Sequence, residues 1–242
     1  MPSKPPAKAD PVPSILALRR VKLLEGLSDD ALATFARTWA WRRFKPNQQI
    51  ITREARDTSV YIIASGVVRI TAFSGGGRQV TYRDMEAGEW FGDLAAIDGK
   101  PRSADALART ETLVAVLTPE QFRHLVFENP QVCDRLLRHI TAWVRDLTDR
   151  LFDLSTLGVR NRVHAEILRL ARQASSTANS ARIQPAPKHV EIASQVSTYR
   201  EQVTRELSAM ARAGLIKRDG IALVVPDIAR LERIVAEVRR AA

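Results

Sequence analysis

The chain has one cysteine, Cys133, in 242 residues. A single thiol closes no internal disulfide, completes no zinc tetrahedron and holds no iron–sulfur cluster. It fits a reducing cytoplasm, which is the expected location. Long apolar runs are missing too: nothing approaches the roughly 18 residues that a membrane span needs. Met1 to Pro13 holds five prolines and no apolar signal core, so a disordered tail is expected at 1–13. Histidine is scarce: His124, His139, His164 and His189 are the four, and none lies in the central β-rich stretch. A metal-dependent barrel enzyme would normally draw histidine ligands from there, and no metal is expected. No nucleophile–base pair and no Walker-type loop is found, so an enzyme is not expected.

What the chain has is positive charge. Lys and Arg number 37 against 27 Asp and Glu, a formal charge of +10. Such an excess favours a polyanionic partner, nucleic acid or an anionic membrane. Divided at Gly158, residues 1–158 carry a net +3 and residues 159–242 a net +7. The last third is therefore where a nucleic acid would bind. The membrane reading has no segment to carry it.

Glycine is uneven as well. Seven of the eleven glycines lie between Gly66 and Gly99, where they supply the positive φ of tight turns. Around them, Gln49–Arg53, Val60–Ala64, Val67–Phe73, Gln79–Met85 and Leu113–Leu117 are short runs rich in Ile, Val, Thr and Tyr. This pattern predicts an antiparallel barrel or jelly roll. Gly75–Gly77 reads as a hairpin tip. Ser28 is placed to cap a helix over about 29–38, and Pro119 and Pro130 each to open one. The second of these runs to about Leu157. Its apolar positions Leu136, Ile140, Trp143, Leu147, Leu151 and Leu154 are spaced 4, 3, 4, 4 and 3, near the seam of a two-stranded coiled coil. A homodimer is expected, with packing against the chain's own barrel as the alternative.

After Gly158 come a helix over Asn161–Gln173, a polar loop over Ala174–Pro187, short helices over His189–Gln195 and Tyr199–Arg212, and two strands around an Asp219-Gly220 turn. Asp227 caps a last helix. These are the parts of a winged helix-turn-helix. At 100° per residue from Arg200, Val203, Leu207 and Met210 fall near 300°, 340° and 280°. Arg200, Glu201, Thr204, Arg205 and Ser208 share the opposite, polar face. Arginine forks onto guanine and glutamate accepts from cytosine N4. Thr198 to Glu201 also matches a capping box, in which Glu201 would only bond backbone amides. Ser197 and Thr198 are cap or phosphate candidates.

Two motifs make a resemblance specific. Arg200-Glu201-Gln202-Val203-Thr204-Arg205 fits an Arg-Glu-x-x-x-Arg recognition helix, and Phe91-Gly92-Asp93-Leu94-Ala95 with Pro101-Arg102-Ser103-Ala104 is similar to a phosphate-binding cassette. With the order of parts, they make the chain resemble the cyclic-AMP receptor protein / fumarate-nitrate regulator family over about residues 20–240. The resemblance implies an α+β fold. Residues 14–128 would form a cyclic-nucleotide-binding β-roll, 129–158 a dimerisation helix and 159–242 a DNA-binding winged helix-turn-helix. It implies Gly92, Asp93, Leu94, Arg102 and Ser103 as contacts for the phosphate and ribose. Counting back along the long helix puts the base contacts at Leu147 and Thr148, of which only Thr148 can hydrogen-bond.

Arg200, Glu201 and Arg205 would read double-stranded DNA at a TGTGA-like palindrome. The implied effector is a cyclic nucleotide, cyclic AMP first and cyclic GMP second. RNA polymerase is an implied partner. The family's iron–sulfur mode is excluded by the lone cysteine. Asp93 departs from the family's usual glutamate by one methylene. Val68, Ile70, Val80 and Tyr82 are candidates for the base side of the barrel. Arg102 has a second reading, a structural ion pair at a turn. The alternative for the whole protein is a ligand-independent family member with a vestigial pocket.

Overall fold

The computed structural model describes residues 15–73, 79–177 and 179–241. The expected tail and the Gly75–Gly77 hairpin tip lie outside the described residues. The described residues cluster into two compact units, divided inside the long helix between Ile140 and Thr141. No described helix is long and apolar enough to cross a membrane.

The first unit opens with α1 (Ile15–Arg19), a 3-10 turn (Lys22–Leu24) and α2 (Asp29–Thr38). Ser28 Oγ accepts from the Ala31 amide and caps α2, as its position predicts. Then follow β1 (Ala40–Phe44), β2 (Gln49–Ile51), β3 (Val60–Ser65), β4 (Val67–Phe73), β5 (Gln79–Glu86), β6 (Trp90–Phe91), α3 (Asp93–Asp98), β7 (Asp105–Ala108), β8 (Thr112–Leu117) and α4 (Pro119–Glu128). The strands form two four-stranded sheets, in the orders β1-β8-β3-β6 and β2-β7-β4-β5. This is the jelly roll that the turn spacing predicts.

Strand alternation sorts the core. On β3, Val60 and Ile62 face a cluster with Leu18, Leu32, Phe122 and Leu136 from the helices. Tyr61 and Ile63 face the roll interior with Val68, Met85, Phe91 and Val114. Three strands of this unit were not expected from the sequence. In β1, Arg42 and Arg43 interrupt the apolar pattern, yet it pairs with β8 from Ala40↔Val116 to Phe44↔Thr112. β6 is two residues long, and β7 begins on an aspartate.

The long helix α5 (Pro130–Thr156) corrects the expected seam. Leu136 is 4% exposed because it packs into the first unit's core. Trp143 is half-buried. Leu137 and Val144, by contrast, are 59% and 54% exposed. The remaining apolar row is Leu137, Ile140, Val144, Leu147, Leu151 and Leu154, spaced 3, 4, 3, 4 and 3; five of the six are exposed, and Ile140 is half-buried against the first unit's core. That is a strict heptad pattern.

The second unit continues with α6 (Val159–Gln173), β9 (Ser175–Thr177), β10 (Ser180–Ile183), α7 (His189–Gln195), α8 (Arg200–Arg212), β11 (Lys217–Asp219), β12 (Ala222–Val225) and α9 (Ile228–Ala241). Val163, Ile167, Ile192, Val203, Met210 and Leu231 form its core. The expected loop at Ala174–Pro187 is instead a hairpin, β9–β10, whose second strand pairs with β12. Buried Ala181 and Ile183 alternate there with polar residues, too short a run for periodicity to reveal. Asn179 in the connection accepts from the Ala229 amide and donates to Asp227, tying the hairpin to the start of α9. Asp227 in turn accepts from the Arg230 amide, the expected cap. The β11–β12 turn falls one residue later than expected, on Gly220 and Ile221, because Asp219 pairs with Ala222. Arg239 forks onto Asp153 at 2.8 and 2.6 Å and fastens α9 to the end of α5.

Gly66 joins β3 to β4 at φ +93°, and a Cβ there would sit 2.5 Å from the Glu111 carbonyl oxygen. Gly99 has a similar φ of +70° but open space around it. Gly66→Ala is expected to cost about 2 kcal/mol or more, from strain plus the backbone clash. Gly99→Ala should cost only the left-handed penalty, about 1 kcal/mol. Urea midpoints of the two variants check the order.

Candidate effector pocket and nucleic-acid interface

The cassette-like residues meet at one turn. Gly92 is the N-cap of α3 in the left-handed region, at φ +89°. A Cβ on it would lie 2.7 Å from both Arg102 Nη1 and the Ser59 carbonyl oxygen. Glycine is thus required by the close approach of Arg102. Arg102 is 3% exposed. Its Nη1 donates to the Gly92 carbonyl at 2.9 Å, and its Nη2 donates to the Ser59 carbonyl at 2.6 Å. Nη2 and Nε also donate to Asp57 Oδ2, at 2.7 and 3.1 Å. The structural ion pair foreseen as the second reading is formed. Sequence reasoning missed its carboxylate, Asp57, which lies 45 residues away.

Burial alone would raise the Asp57 pKa. The Ser59 amide and Arg102 outweigh it and hold the carboxyl below its ordinary value. Asp57 therefore stays an anion at neutral pH. The Tyr61 ring, stacked on Phe91, lies 5.8 Å from the Arg102 guanidinium carbon.

Asp93 is the first residue of α3 and is buried. Burial raises its pKa, against the pull of its own amide, Arg83 and the Leu94 amide. Its carboxyl is thus engaged by the same helix N-terminus that would suit a phosphate. Leu94 is half-buried and Ser103 exposed. Thr148 belongs to the second unit, is exposed, and donates to the Val144 carbonyl one turn back. Of the candidate base-side residues, Val68 is fully buried in the roll core and Ile70 packs against it, while Val80 and Tyr82 are half-buried.

Beside the cassette lies a cluster that sequence reasoning missed. Arg83 Nη2 and His139 Nε2 are 3.3 Å apart, and the Trp90 and His139 rings are 4.4 Å apart. It joins β5 and β6 to the first turns of α5.

In the second unit, α7 and α8 are joined by a turn in which Ser197 takes φ +51°. Val203, Leu207 and Met210 are buried, and Arg200, Glu201, Thr204, Arg205 and Ser208 are exposed. The predicted faces of α8 are therefore the observed ones. The N-cap is Tyr199, with no side-chain cap hydrogen bond. The capping box is not formed, and Glu201 stands exposed. His189, at the start of α7, is bonded to Thr204 Oγ1 through Nδ1 at 2.6 Å. Its pKa is lowered by burial, then by Arg200 and Arg218. Arg218 lies on the β11–β12 wing, so wing and recognition helix place their cations around one spot. Among the described residues no group of His, Cys, Asp and Glu is arranged to hold a metal ion.

Comparison with known proteins accounts for both regions. A family model for the cyclic nucleotide-binding domain matches residues 41–129. One for the Crp-like helix-turn-helix domain matches residues 161–234. A cyclic AMP receptor protein from Thermus thermophilus is 31% identical over 85% of this chain and 91% of its own. The chain belongs to the Crp/Fnr family of transcription regulators. A CRP-like cAMP-activated global transcriptional regulator from Mycobacterium tuberculosis is 27% identical over 89% of this chain and 97% of its own. The fold also matches a solved CooA variant from Carboxydothermus hydrogenoformans, with a TM-score of 0.74, 18% identity and coverage of 87% and 92%. This Crp/Fnr regulator is a DNA-binding protein with a cyclic nucleotide-binding domain, in a family that is not enzymatic.

The Arg83–His139 contact has a consequence for acid stability. Burial, then Arg83 and Lys22, push the His139 pKa down from 6.5 to about 4. Between those values the unfolded chain binds a proton that the folded chain refuses. The stabilisation is present above pH 6.5 and is lost as the pH falls towards 4. His139→Gln should flatten that part of the acid slope. Urea midpoints at both ends of the window, for the regulator and the variant, measure it.

Proposed function

We propose that this protein is a homodimeric, sequence-specific transcription regulator whose DNA affinity is set by a cyclic nucleotide, cyclic AMP first and cyclic GMP second. Residues 14–128 would be its sensing domain, 129–158 its dimerisation helix and 159–242 its DNA-reading domain. The observation that carries this reading is the exposed Arg200, Glu201 and Arg205 face at the N-terminal end of α8, within a Crp-like helix-turn-helix. Two such helices about 34 Å apart would read successive major grooves of a TGTGA-like palindrome. RNA polymerase is the partner this activity calls for.

Nucleotide at Gly92, Asp93, Leu94, Arg102 and Ser103, with Thr148 towards the base, would favour one packing of the two α5 helices. Its differential affinity for the two packings sets how far the equilibrium moves. The heptad row on α5, exposed at every position but Ile140, supports the dimer. A contiguous apolar row of that length on a free surface marks an interface. A second reading, a ligand-independent regulator, is favoured by the Arg102 contacts. Its guanidinium already has a carboxylate and two carbonyls.

Calorimetric titration with both nucleotides, followed by gel shifts on the palindrome, separates the readings. Heat with one nucleotide and a tighter DNA complex supports gating. Absence of heat with both, alongside intact DNA binding, supports the second reading.

Leu151 is 65% exposed on the outward row. Leu151→Glu places like charges across the proposed seam and should shift the protein to monomers in sedimentation while leaving its helicity unchanged. Arg205→Ala should weaken binding to the palindrome by about 1–3 kcal/mol and relax its sequence preference. Equal losses on specific and random duplexes would reassign Arg205 to a phosphate contact.

A further inference from the structure

The roll's buried guanidinium is not waiting for an anion; it has one. We infer that Asp57 is a built-in competitor for the effector's phosphate, which binds Arg102 only by displacing the Asp57 carboxylate. This rests on reading residues 91–104 as the phosphate site, and it adds a residue that determines effector affinity.

The geometry decides which partner yields. Arg102 is held on two sides by the backbone carbonyls of Ser59 and Gly92. The main chain at Arg102 is fixed too, since its amide donates to Ala55 and its carbonyl accepts from Glu54. The guanidinium is too close to Gly92 for any atom to enter between them. Its remaining hydrogen-bond partner among the described residues is Asp57, whose side chain is 43% exposed against 3% for Arg102. Apart from Arg102, the Asp57 carboxylate is held locally by Ser59, through its amide at 2.9 Å and through its side chain. Rotating it out breaks these local bonds and leaves the backbone pairs at residues 54–55 intact.

Charge points the same way. One carboxylate neutralises one guanidinium, and a phosphodiester monoanion replaces it one for one. The exchange leaves the buried site neutral, whereas adding phosphate beside Asp57 would set two anions on one cation. An effector without an anionic group has nothing to exchange. The pocket therefore selects against uncharged nucleosides and against weak anions that cannot outcompete a neighbouring carboxylate.

The test titrates cyclic AMP and, as an uncharged probe, adenosine into the full-length protein and into Asp57→Asn. The amide keeps the shape and the acceptor oxygen but removes the competing charge. Cyclic AMP affinity should rise about tenfold, the worth of one charged hydrogen bond, while adenosine binding stays the same. Thermal melts in inorganic phosphate provide a second reading should the variant be less stable: its midpoint should climb more steeply with phosphate than the parent's. Equal or weaker cyclic AMP affinity in the variant, with equal phosphate slopes, overturns the inference. The parent's own titration keeps the two proposals apart. Binding by the parent with no gain in the variant removes the competitor and leaves nucleotide gating standing. Absence of binding in both proteins, with DNA binding intact, removes both.

Discussion

A guanidinium in an apolar roll is the constraint around which the first unit is arranged. Arg102 brings a full charge and five donor hydrogens into a region where each must be met. The chain meets four of them from two separate segments. Asp57 and Ser59 come from the run into β3, and Gly92 from the turn into α3. Gly92 must be glycine because Arg102 lies against it, and the left-handed turn that glycine permits starts α3. The arginine that the resemblance marks as a ligand contact is thus also a fastener of the roll. Replacing it removes a fold element together with any ligand contact. Loss of response in an Arg102 variant would not by itself assign the residue to the effector, so the carboxylate opposite is the cleaner place to intervene.

The same economy appears at Asp93. A glutamate there has one more methylene with which to leave the helix end and reach a sugar hydroxyl. The shorter aspartate is buried and engaged by the first amides of α3. Two carboxyl side chains, Asp57 and Asp93, therefore occupy donors that a cyclic phosphate would use. On the proposed reading, a cyclic nucleotide gains those donors only if the two side chains move.

Much of this architecture was legible in the sequence because it follows local rules. Ser28, Pro119 and Asp227 mark helix starts, and the faces of α8 follow from a 100° rotation. What was illegible depends on partners far away in the chain. β1 carries two arginines and is a strand because β8 lies beside it. The β9–β10 hairpin exists because β12 offers an edge. On α5, six apolar residues at mixed spacing could not say which faced inward. Packing of Leu136 into the first unit's core settled it and put Leu137 and Val144 in the row in place of Leu136 and Trp143. Asp57 carries no local signal at all, since its role is set by a residue 45 positions on.

The reading face of α8 shows why charge alone does not make a regulator specific. The last third of the chain carries a net +7, and cations attract every duplex alike. Glu201 works against that attraction. It stands exposed between Arg200 and Arg205, and the cap that would have employed it is not formed. Brought to a major groove, a carboxylate is repelled by phosphates on any sequence. It recovers that cost only where a base edge offers a donor, as cytosine N4 does. An arginine rewards the right base; a glutamate also penalises the wrong ones. On the proposed reading, this residue lowers overall affinity so that the difference between sites grows. A neutral residue in its place would bind most DNA more tightly and distinguish less among sequences.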